Sequence, residues 1–101
     1  GRCDALLVLL GPEVMLRADD AAVHIGAPGV LRGAAAVATR SLGGAQATQL
    51  ALLDGAAGLV SAPGGSPRMA FDFTITNGKI VAIDLVADPE RLRQLDIVVL
   101  E

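Results

Sequence analysis

The sequence predicts an α+β fold in which short helices pack against a mostly antiparallel, curved sheet, and three observations carry that expectation. Between residues 46 and 87, four apolar-rich runs (46–53, 56–62, 68–76 and 79–87) follow one another with short breaks. Two of those breaks are Asp54-Gly55 and Asn77-Gly78, dipeptides whose left-handed backbone matches the twist of paired strands. Helix-forming segments flank this meander, Ala-rich at 34–42 and capped by Asp88-Pro89 at 88–95. A chain of 101 residues can build one hydrophobic core and not two, so a single domain over 1–101 is expected.

In chain order, residues 4–10 read as a short helix stopped by Gly11-Pro12, because proline disfavours helical backbone in the residue before it. Residues 14–19 alternate as a strand. Residues 20–29, rich in Ala, Gly and Pro, read as a loop or irregular hairpin, and Val30-Leu31 as a brief second strand. Residues 34–42 form a helix ended by Gly43-Gly44, with an Ala face suited to close packing on a sheet. Then come the four strands of the meander, the middle pair joined by a longer loop at Pro63-Gly-Gly-Ser-Pro67. Asp88 caps a final helix with Pro89 at its first position, running to about Leu95. Residues 97–100 are an apolar tail that either pairs at a sheet edge or stays loose.

Composition excludes several function classes. Hydrophobic residues make up 52% of the chain and charged residues 19%, so some apolar surface is expected to stay exposed, through Ala richness or a missing partner. No apolar run approaches the roughly 20 residues that span a bilayer, and Arg2 with the run after it lacks a cleavage site of small residues. The expected location is cytoplasmic. The single cysteine, Cys3, cannot form an internal disulfide and has no zinc-ligand spacing around it, so no metal is expected. A net charge of −3, scattered Arg and Lys, and only Phe71 and Phe73 as aromatics argue against direct nucleic-acid binding by this segment.

Three stretches, Asp4-Ala-Leu-Leu-Val-Leu-Leu-Gly-Pro-Glu-Val-Met-Leu16, Leu31-Arg-Gly-Ala-Ala-Ala-Val-Ala38 and Gly78-Lys-Ile-Val-Ala-Ile-Asp-Leu-Val-Ala-Asp-Pro-Glu-Arg-Leu92, carry a family resemblance. The chain resembles the C-terminal SnoaL-like (nuclear transport factor 2-like) domain of SigJ-type extracytoplasmic-function RNA polymerase sigma factors. Asp88-Pro89-Glu90-Arg91-Leu92 is similar to that family's Asn-Pro-Asp-Lys-Leu closing motif. The resemblance implies a cone-shaped sheet, here without the long first helix that normally lids it, so the chain would be the C-terminal fragment of a longer protein. It also implies regulation in transcription initiation, by contact with the upstream sigma regions of the same full-length chain and with RNA polymerase. The implied interaction surface comprises Asp19, Asp20, Asp88, Pro89, Glu90, Arg91 and Leu92. The family's Asp-Gly-Gly-Gly-Lys loop is replaced by Asp19-Asp20-Ala21-Ala22-Val23, which keeps one acid and loses the glycines and the lysine. A homodimer through the outer sheet face also suits the fold.

The residue types permit one other chemistry. His24, the sole histidine, lies beside Asp19 and Asp20, the arrangement of a general base oriented by a carboxylate, although an ordinary loop histidine is the default. Asp72 and Asp84 each sit between apolar neighbours, on the strand face opposite them. Inside the cone they would be carboxylic acids of raised pKa, suited to acid or base work as in cyclases and isomerases of the resembled fold. On the outer face they are solvated carboxylates, which is the expectation because Phe71, Phe73, Ile75, Val81, Ile83 and Leu85 form the bulkier set. Arg17 and Arg32 could pair with such acids at a pocket mouth, with plain surface ion pairs as the default. Gly64-Gly65 has no phosphate-loop signature. The expected function is therefore a non-catalytic regulatory domain without a cofactor, with a small-molecule-binding or polyketide-cyclase/isomerase-like domain as the alternative.

Overall fold

A computed structural model of the chain describes residues 8–37, 48–62 and 65–100. Its strands are β1 (Leu10–Ala18), β2 (Val30–Arg32), β3 (Thr48–Leu53), β4 (Ala56–Ser61), β5 (Met69–Thr76), β6 (Lys79–Val86) and β7 (Ile97–Val99). The helices α1 (Asp20–His24), α2 (Ala34–Val37) and α3 (Pro89–Gln94) pack around them. All seven strands join one sheet in the order β2-β1-β6-β5-β4-β3-β7. Every neighbouring pair is antiparallel except β1 with β6, which run parallel. The architecture is thus α+β with a mostly antiparallel sheet.

The two-residue turns form as their dipeptides dictate. Asp54 and Gly55 have φ of 51° and 84°, and Asn77 and Gly78 have φ of 52° and 78°, so both central residues of each turn are left-handed. The third connection closes where the Arg68 N–H donates to the Ser61 carbonyl at 2.8 Å. The apolar tail pairs at an edge: β7 runs antiparallel to β3, and the Leu100 N–H donates to the Leu50 carbonyl at 2.8 Å.

Several expectations change. Residues 8 and 9 are helical where a helix over 4–10 was expected, but Leu10 already belongs to β1, and residues 4–7 lie outside the described residues. β1 runs through Gly11 and Pro12 because its ladder with β6 shifts register between Leu10 and Met15. Proline, lacking an N–H, is tolerated at such an irregularity. The stretch read as a loop from residue 20 contains α1, started by Asp19, whose side chain accepts from the Ala22 N–H. α2 accounts for the start of the expected 34–42 helix, and residues 38–42, like 46 and 47 of the first meander run, lie outside the described residues.

Alternation divides the core between the two faces of the sheet. One face carries Val14, Leu16, Leu59, Phe71, Phe73, Ile80, Ile83 and Leu85, packed with Ala22 of α1 and Val37 of α2. The other carries Ala51, Leu53, Val60, Ala70 and Val86, covered by Leu92 of α3. The expected apolar set needs one correction. A register shift between Thr74 and Ile75 sets Ile75 opposite Ile80 and leaves Val81 out of the pairing. Ile80 is therefore buried at 1% exposure, while Val81 and Ile75 are 38% and 50% exposed.

Among the described glycines, Gly58 has the closest neighbours. A Cβ there would lie 2.5 Å from the Phe71 carbonyl oxygen and 2.7 Å from Leu53 Cδ1. Since the first obstacle is backbone, relief requires β4 and β5 to separate. Gly58→Ala is expected to destabilise the fold by about 1–3 kcal/mol, measured by urea unfolding; an unchanged midpoint would show that the two strands can part at no cost.

Candidate functional site

The segments named by the sequence as a candidate surface meet at Asp19. It follows β1 directly and caps α1, with Oδ1 accepting from the Ala22 N–H at 2.8 Å. Its other oxygen, Oδ2, accepts from the backbone N–H groups of Ala87 at 2.9 Å and Asp88 at 3.1 Å. The Asp19 N–H donates to the Leu85 carbonyl at 3.0 Å. One residue thereby ties the start of α1 to the end of β6 and the start of α3. Burial by itself would raise its pKa, but the N–H donors of Ala22, Asp88 and Ala87, together with the Arg91 charge, outweigh that and hold the carboxyl below the usual range.

α3 repeats the capping chemistry. The Asp88 side chain accepts from the Glu90 N–H at 3.0 Å, and Pro89 occupies the first turn, where no N–H is needed. Glu90 and Arg93 form an ion pair one turn apart on the exposed side. Leu92 turns inward to the core of that face, with Leu95 and Ile97 packed beside it. The junction after α3 is fixed to the β3–β4 turn by a reciprocal exchange: the Asp54 N–H donates to the Asp96 carbonyl at 2.9 Å, and the Asp96 N–H donates to Asp54 Oδ1 at 2.8 Å.

Asp72 and Asp84 stand directly opposite one another on β5 and β6, on the sheet face away from Phe71, Phe73, Ile83 and Leu85. Arg17 of β1 pairs with Asp84, through Nε to Oδ1 at 3.1 Å and Nη2 to Oδ2 at 3.3 Å. This is an exposed ion pair, of a kind worth about 0–1 kcal/mol. Asp72 lines a small cavity of about 310 Å³ with Asp54, Arg91 and Gln94. Burial raises its pKa, the charges of Asp84 and Asp54 raise it further, and Arg91 partly offsets them. Asp72 is therefore more perturbed than a freely solvated carboxylate.

His24 is exposed in the last turn of α1, a helical residue rather than a loop one. The hydrogen bonds of Asp19 go to the backbone donors of Ala22, Ala87 and Asp88, and no His24–Asp19 pair is seen among the described residues, in keeping with the default of an ordinary histidine. Asp20 lies exposed in the first turn of α1. Arg32 stands opposite Met15 on β2, away from the Asp72 and Asp84 pair. Among the described residues no group of three or more His, Cys, Asp or Glu is placed to hold a metal ion, and no helix is long and apolar enough to cross a membrane.

A second feature was not legible in the sequence: an open groove of about 1080 Å³ between α1, the β4–β5 loop and α3. His24, Arg68, Pro89, Leu92 and Ile97 are among its lining residues. Arg68 and Ile97 carry no local signal that could have placed them there, since only the sheet order brings them near α1 and α3.

The fold and the surface built on α1 and α3 define a class, an α+β chain with a mostly antiparallel sheet and short packed helices, and solved structures of that class resemble this chain. One is the crystal structure of the Mycobacterium tuberculosis extracytoplasmic function sigma factor SigJ, with a TM-score of 0.62 and 28% sequence identity, covering 89% of this chain. This chain spans 38% of that sigma factor. Another is a protein from Rhodopseudomonas palustris provisionally assigned as an isomerase, with a TM-score of 0.51 and 18% identity over 88% of this chain and 78% of that one. At that identity it shows the fold alone. No family model and no curated protein matches the sequence.

Two outcomes test this site. Asp19→Ala is expected to cost about 1–3 kcal/mol in urea unfolding, because it removes a cap and strands the Ala87 and Asp88 donors. With its folded pKa depressed, Asp19 contributes stability above the ordinary carboxylate range, and that contribution is lost as pH falls through the folded value. A loss that persists undiminished in strong acid would contradict this assignment. Asp72 has the opposite sign: its raised pKa gives a contribution that is full below the unfolded value near 3.8 and lost as pH rises through the folded one. Asp72→Asn should therefore be at least as stable as the parent chain at neutral pH, with any gain vanishing in acid, as followed by thermal unfolding across pH.

Proposed function

We propose that this chain is a single SnoaL-like domain of a longer cytoplasmic protein, the C-terminal regulatory domain of an extracytoplasmic-function sigma factor. It acts in transcription initiation by contacting the sigma regions of its own full-length chain, in the setting of RNA polymerase, and does not grip DNA itself. The observation that carries this reading is the likeness to SigJ over 89% of the chain at 28% identity.

The contact surface in this reading is the exposed side of α3 with Pro89, Glu90 and Arg91, together with Asp20 at the start of α1; Leu92, expected on that surface, is buried and instead anchors the helix from beneath. Asp19 serves it from beneath by holding α1 and Asp88 in register. The half-buried Asp72, with its raised pKa and its cavity beside Arg91, is the feature that favours the small-molecule or isomerase-like alternative.

Transcription from a cognate promoter by the full-length protein separates the two readings. Asp72→Asn and Asp84→Asn are expected to leave it nearly unchanged, whereas Leu92→Asp with Leu95→Asp is expected to disrupt both stability and regulation, since those leucines pack α3 onto the sheet. Loss of transcription in the two Asn variants at unchanged stability would move the small-molecule reading to first place. Wild-type regulation and wild-type melting in the Leu variants would defeat the role assigned to α3.

A further inference from the structure

We propose that the groove between α1, the β4–β5 loop and α3 is a binding site for an amphipathic carboxylate, a small molecule with an apolar body and one anionic head. At about 1080 Å³ the groove is slightly larger than the usual small-molecule site of roughly 300–1,000 Å³. Its lining includes the apolar side chains of Ala87, Leu92, Leu95 and Ile97. Ile25, on the α1 side, is left 68% exposed to water. An apolar body laid there would cover that side chain and the exposed edges of that lining, which is the driving force for binding.

The charge pattern selects the head group. Arg68 stands on the loop wall, exposed, and among the described residues it makes no ion pair. Its guanidinium fork matches a carboxylate through two parallel N–H donors. Arg93, also on the lining, is already engaged with Glu90, so the unspent cation is Arg68. His24 of α1, also on the lining, adds a ring nitrogen able to donate to an anionic oxygen. Asp96 is the carboxylate on the lining, and it would repel an anionic head placed at its end of the groove. The head therefore belongs at Arg68 and the apolar body along Leu92, Leu95 and Ile97. An amine would meet the reverse: two arginines on the walls and one carboxylate.

This site differs from the Asp72 cavity, and binding there does not depend on the sigma-factor reading. One consequence does rest on that reading. Pro89 lines the groove and also belongs to the proposed docking surface, so an occupant would compete with the sigma regions for α3.

The test is a titration of the ¹⁵N-labelled chain with decanoate, below the concentration at which it forms micelles, with decanol and decylamine in parallel. Saturable amide shifts are expected at His24, Ile25, Arg68, Leu92, Leu95 and Ile97. Arg68→Gln, an exposed substitution that should leave the melting temperature unchanged, is expected to weaken decanoate about tenfold or more, and decanol and decylamine should bind weaker by at least a similar factor. Absence of saturable shifts, decanol binding as tightly as decanoate, or undiminished affinity in Arg68→Gln would each overturn the proposal. So would an acidic amphipathic peptide producing those shifts where decanoate produces none. Decanoate that binds as expected but leaves association with the sigma regions unaltered would count against docking through α3 while leaving the binding site in place.

Discussion

The Asp19 carboxylate is the interaction on which the arrangement of the other elements depends. β1 leaves the sheet at Ala18, and within one residue the chain must turn into α1 while β6, its parallel neighbour, ends beside it. Three backbone N–H groups would otherwise lack partners there: Ala22 in the first turn of the helix, and Ala87 and Asp88 where β6 gives way to α3. A single ionised side chain satisfies all three, and charge-assisted bonds of this kind are stronger than neutral ones. With Ala21 and Ala22 after Asp19 and Asp20, the stretch forms a helix, and Asp19 becomes its cap.

From that junction the two faces of the sheet take different roles. The face with Phe71, Phe73 and Leu85 is apolar and holds the larger core. The face with α3 combines a smaller apolar cluster with a charged seam running from Arg17 through Asp84 to Asp72. Two carboxylates at directly opposed positions of neighbouring strands repel each other. Arg17 relieves one of them and Arg91 partly relieves the other, but burial first, and then the charges of Asp84 and Asp54, keep the Asp72 pKa raised. The seam lies away from the larger core, so the acids alternate with apolar neighbours without entering that core.

Several structural features converge on α3. Its buried side fixes Leu92 in the core, its exposed side carries the Glu90–Arg93 pair, and its flank forms one wall of the open groove. A helix of six residues has little stability of its own, so its position is set by its cap, its buried leucine and the exchange between Asp54 and Asp96.

Much of this architecture was legible because it is encoded within a few neighbouring residues. Asp-Gly and Asn-Gly demand left-handed backbone wherever they join two apolar runs, and Asp88-Pro89 caps a helix by contacts spanning two residues. α1 was encoded in the same way, by Asp19 three residues ahead of Ala22, but the Ala, Gly and Pro content after it masked the signal. What the sequence determined by itself was therefore the α+β class, the meander and its turns, the final helix, and the opposition of Asp72 and Asp84 to the large apolar set. Tertiary structure alone decided the parallel pairing of β1 with β6, the register shift that buries Ile80 instead of Val81, the reach of Asp19 to residues 68 and 69 positions away, and the meeting of His24, Arg68 and Leu92 around one groove. Each of these joins groups far apart in the chain, where no local propensity acts and only the order in which strands bury their apolar faces determines which residues become neighbours.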